Sequence, residues 1–131
     1  MRARRYVLVA RRLLPAVLVL VAALADWQGA HGLARTALLL ALPFTAVAAL
    51  TSLGDYLDSR WDGAALLHAL LWGLALVLLV LSCAVRRHAL HAVPPLAVSS
   101  VVGCLAIFAV KAGLVAAPYL KRASDLRPAK P

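Results

Sequence analysis

Four long apolar stretches, each stopped by charge or by a polar turn, organise the chain. The first, Leu13 to Ala25, follows a basic leader with Arg2, Arg4, Arg5, Arg11 and Arg12, and it stops at Asp26. Tyr6 to Ala10 lengthens it to a span over residues 7–25 when Arg11 and Arg12 reach back to lipid head groups. The second, Thr36 to Leu53, is an uncharged run of 18 residues, roughly 27 Å as a helix. Pro43 interrupts it and frees the carbonyl of Leu39, while Gly54 stands at a natural C-terminal cap position. The third, Ala64 to Val85, has 22 residues and no charge, enough for roughly 33 Å of helix. Asp62 is placed as its N-cap. The fourth covers residues 93–120, opening on Pro94-Pro95, acceptable where first-turn amides lack partners. Pro118 and Tyr119 mark its exit.

This pattern predicts an all-α fold: an integral membrane helical bundle in one domain, residues 1–131, with four antiparallel transmembrane helices. The spans fall at 7–25, 36–53, 64–85 and 93–120, and residues 121–131 form a flexible cytoplasmic tail. The first stretch has a second reading. A basic start, a short apolar centre and Ala23-Leu24-Ala25 before Asp26 also describe a signal peptide, 1–25, whose cleavage leaves three spans.

Composition agrees with a lipid-facing surface. The chain is 64% hydrophobic and only 15% charged, where a soluble domain carries about a quarter of charged residues. Its net charge is +9. The basic residues border the apolar stretches, which makes them topology signals and anchors for acidic lipid rather than a nucleic-acid face. With the N-terminus inside, ten basic residues lie on the cytoplasmic side against Arg35, Arg86 and Arg87 outside. That excess predicts both termini in the cytoplasm. No Glu and no Asn occur, Ile107 is the single isoleucine, and Ala, Leu, Val and Arg abound. Such usage points to a GC-rich bacterial genome and hence to a plasma (inner) membrane.

Lys111 is the residue of greatest interest, an ammonium inside the fourth stretch. Intramembrane charge marks an ion path, a ligand site or a pairing, although a lysine within two or three turns of the helix exit also snorkels. Asp55, Asp58 and Asp62 form an acidic cluster with His68 close by on the cytoplasmic face. Their spacing departs from that of a calcium loop, and no metal or cofactor is expected. Arg11, Arg12, Arg86, Arg87, Lys121 and Arg122 are expected to anchor to lipid head groups. His88 and His91 sit in the outer turn, too far from His68 for shared zinc ligation. Cys83 and Cys104 differ in depth by roughly 13 Å at 1.5 Å per residue, beyond disulfide reach, and should stay reduced. Small residues recur every fourth position, among them Ala37, Ala41 and Thr45, and Ala109 and Gly113. Gly73 and Gly103 are the expected points of closest helix contact.

No zinc-protease His-Glu pair, nucleophile elbow, phosphate-binding glycine loop or Cys-x-x-Cys occurs. The size and four-span layout invite comparison with the small multidrug transporters, but those depend on a Glu in their first helix and this chain has none. Three function classes stay open. The first is an accessory or interaction subunit that packs against other membrane proteins. The second is a homo-oligomeric transporter or channel using Lys111, and the third an enzyme built on the Asp55–Asp62 loop.

Overall fold

The computed structural model describes the backbone of residues 2–87 and 94–125, and the side chains of 13–87 and 94–125. All regular structure in it is helical: α1 Arg2–Trp27, α2 His31–Asp58, α3 Gly63–Arg86 and α4 Pro95–Asp125. Among the described residues, three of these, α2, α3 and α4, are long and apolar enough to cross a membrane, and the described apolar part of α1, Leu13–Trp27, is shorter. His88 and His91 lie outside the described residues.

The helices outrun the apolar stretches that seed them. In α2 the helix passes through Gly54 and ends at Asp58, so Gly54 is an interior residue and not a cap. A glycine stops a helix only where the backbone turns left-handed, and Tyr56 and Leu57 sustain one more turn. Similarly, α4 continues past Pro118 to Asp125, taking residues 121–125 of the expected flexible tail into helix. Proline keeps a helical φ and forfeits one hydrogen bond, while Ala116, Ala117 and Leu120 are strong helix formers around it.

The turns have local causes. Between α1 and α2, Gly29 takes φ +77°. The Ala30 N–H donates to the Ala25 carbonyl at 2.8 Å and the Gly29 N–H to that of Asp26 at 3.1 Å. That pair of bonds is a Schellman motif, and its left-handed position favours glycine. Between α2 and α3, Arg60 and Trp61 both take positive φ, and Trp61 packs edge-on against Tyr56 at 5.6 Å. Asp62 then caps α3 by accepting from the Ala64 N–H at 3.4 Å, the role its position predicts.

Each helix packs on its sequence neighbours, and α1 meets α4 to close the ring over a smaller area. The core lies towards the end that carries the α1–α2 turn. There Val19, Ala22, Leu38, Ala41, Ala75 and Cys104 are fully buried. Small side chains at these positions let backbones approach closely, the packing that holds helices together in lipid. The Ala37, Ala41 and Thr45 ladder is one such buried stripe, and Thr45 returns its hydroxyl to the Ala41 carbonyl at 2.8 Å. Both cysteines are free thiols, with the Cys104 thiol directed at the Ala75 carbonyl, 3.9 Å away. Towards the other end, which carries the α2–α3 turn, the helices separate. No residue of α4 beyond Phe108 is buried, and only Lys111 is partly covered.

Candidate functional site

Two polar sites stand out, one at each end of the bundle. The first joins the end of α1 to the end of α3. Arg86 is buried, at 8% exposure, and grips Asp26 with both terminal nitrogens, one bond measuring 2.9 Å. Two parallel bonds between a guanidinium and a carboxylate fix geometry as well as charge. Ser82, one turn before Arg86, receives its Nε–H at 3.4 Å and donates to the Ala97 carbonyl of α4. His31, at the start of α2, lies 3.3 Å from the Asp26 carboxylate. Four helices therefore meet at one small polar knot. No described buried polar side-chain atom is left without a partner.

This placement corrects the expectation for Arg86. It is directed into the bundle and does not reach outward to head groups. An arginine near a helix end can satisfy its charge in water, on phosphate or on a carboxylate, and here the carboxylate is within reach. Sequence reasoning misses Asp26 as the partner and sees in it only the stop of the first stretch; the signal that could find it is that, with the N-terminus inside, it is the one acidic residue on that side of the chain.

The second site surrounds Lys111 and Trp72. The Lys111 ammonium stands 4.0 Å from the centroid of the Trp72 ring. Trp72, buried to 6% exposure, meets Phe108 edge-on at 5.7 Å. A cation over an indole face is stabilised by about 0.5–2 kcal/mol, more as water is excluded. This partly offsets the several kcal/mol that an ammonium costs in hydrocarbon. Two cavities open from this point. One, about 540 Å³, is an apolar groove between α1 and α4, walled by Leu13, Ala16, Phe108 and Val115. The other, about 220 Å³, is a polar cleft towards α2, lined by Ser52, Asp55 and His68. Trp72, Lys111 and Val115 belong to both.

The remaining candidates are dispersed. Asp55 and His68 share the polar cleft, whereas Asp58 is exposed at the end of α2 and Asp62 is occupied as a cap. The turn after Asp58 sets Asp62, at the start of α3, apart from Asp55 and Asp58 on α2. Among the described residues no three His, Cys, Asp or Glu side chains come together to hold a metal ion. Arg87, Lys121 and Arg122 are exposed at helix ends. Arg11 and Arg12 lie within α1, but their side chains fall outside the described set. Gly103 is a point of close contact: a Cβ there would stand 3.3 Å from Leu78 Cδ1. Gly73 is not, since a Cβ would meet nothing within 4 Å.

No protein-family model matches the chain, and no curated protein or solved structure matches it. Function has to be argued from the sites themselves.

Proposed function

We propose that this chain is a four-span protein of the bacterial plasma membrane, with both termini in the cytoplasm, acting as an accessory subunit of a membrane assembly. The observation that carries the reading is a stripe of small residues on the outward face of α4. Ala106, Ala109, Gly113 and Ala117 follow each other at intervals of three and four, which places them on one face of the helix. All four are exposed, and a Cβ at Gly113 would meet nothing within 4 Å. Lys111 and Val115 occupy the opposite side, turned to the bundle interior. In lipid, helices associate through close backbone contact over such stripes. This one is left uncovered by its own chain and fits a helix of another protein.

Retention of α1 as the first span is supported by what its loss would do. Cleavage after Ala25 would strip Val19, Ala22 and Ala25 from the core. It would also free the short remnant that holds Asp26 against Arg86. The proposed orientation rests on the count of Lys and Arg, ten on the cytoplasmic side against Arg35, Arg86 and Arg87 on the other.

Co-purification from the native membrane in mild detergent tests the accessory role. The wild-type chain should carry a defined partner in fixed stoichiometry. Gly113→Ile should lose it while the chain still inserts, because a branched side chain keeps the two backbones apart. Retention of every associated protein by Gly113→Ile would contradict the reading.

A further inference from the structure

We infer that the Trp72–Lys111 cleft binds an acidic phospholipid, with the phosphate at Lys111 and one acyl chain against Ala16 and Phe108, which lie deeper in the span. The two cavities share Trp72, Lys111 and Val115, so Lys111 borders both an apolar groove and a polar cleft. The groove, at about 540 Å³, falls among ligand pockets of roughly 300–1,000 Å³. Lysine binds phosphate as a point charge. Trp72 holds that charge at the junction of the two spaces, 4.0 Å above its ring.

The shape selects the occupant. A soluble anion has no use for a wall of Leu13, Ala16 and Phe108, and an apolar helix would bring nothing to Lys111. An amphiphile satisfies both. The groove lies along the seam where α1 and α4 part, open to entry from the side. Tyr119 also borders a separate exposed hollow with Lys121, Arg122 and Asp125. Asp55 and His68 face Lys111 across the polar end. With a carboxylate already present, a singly charged phosphodiester suits the cleft better than a dianion.

The inference rests on the membrane placement proposed above but not on the partner helix. The test uses the full-length chain in bilayers, with Trp27→Phe and Trp61→Phe leaving Trp72 as the only tryptophan. Quenching of Trp72 by phosphatidylglycerol with brominated acyl chains is compared with quenching by the matching phosphatidylcholine. Phosphatidylglycerol should be preferred by about fivefold, the worth of one basic residue near an acidic lipid surface. Lys111→Gln should bring the ratio to about one, and Lys111→Arg should keep it, since charge is what recognises the phosphate. Lys121→Gln with Arg122→Gln should leave the ratio standing, as should Gly113→Ile, so failure of the accessory role is distinguishable. Equal quenching by the two lipids, or a preference that survives Lys111→Gln, would overturn the assignment. So would displacement by millimolar inorganic phosphate, which would make the ligand a soluble anion.

Discussion

Sixty residues of sequence separate Asp26 from Arg86, yet the two form the polar contact that ties the first helix to the third. Taking both charges out of water is costly, and such a pair is weak evidence for net stability. Its consequence appears when one partner goes. Asp26→Ala leaves a guanidinium at 8% exposure without its carboxylate, a loss of about 3–5 kcal/mol by the measure of other broken buried pairs. Replacing both, Asp26→Leu with Arg86→Met, should recover most of that loss. Unfolding of the detergent-solubilised variants checks both values, and an Asp26→Ala protein as stable as wild type would show that the knot carries little. At this scale the sequence was half legible. Lys111 announced itself as a charge inside an apolar run, and Asp62 as a cap before one. The partner of Lys111 did not, because an indole on α3 gives no signal until the register of α3 against α4 is known.

Among the elements, existence was clear and ends were not. Hydropathy marks where a helix can lie in lipid, whereas a helix ends where its terminal N–H and C=O groups find other partners. Thus α2 and α4 run on through Gly54 and Pro118, residues that read as stops. Packing between elements was less legible still, since small residues recur throughout an alanine-rich chain and few of them can meet a neighbour. Gly73 and Gly103 carry the same signal in sequence and differ in the fold. Gly103→Leu should destabilise by about 1–3 kcal/mol, because the added side chain must displace Leu78 in a filled interface. By contrast, Gly73→Ala should stabilise by about 0.5–1 kcal/mol, trading backbone freedom for helix propensity in open space. Unfolding midpoints of the two variants moving in the same direction would contradict the assigned packing.

The molecule as a whole is a bundle closed at one end and open at the other. Its closed end is held by alanine-rich packing and the Asp26–Arg86 knot; towards its open end two cavities reach the buried Trp72 and the half-buried Lys111, and the far half of α4 is exposed. The lipid site lies at the open end and requires α1 to be present as one wall. Leu13 and Ala16 line the groove, and Val19, Ala22 and Ala25 fill the core beneath it. The most direct test is the intact mass of the subunit extracted from its native membrane. A subunit that retains residues 1–25 is the predicted result, with α1 serving as a permanent fourth helix. A subunit beginning at Asp26 would contradict it, since the knot, the core and the α1–α4 groove would then belong only to the precursor.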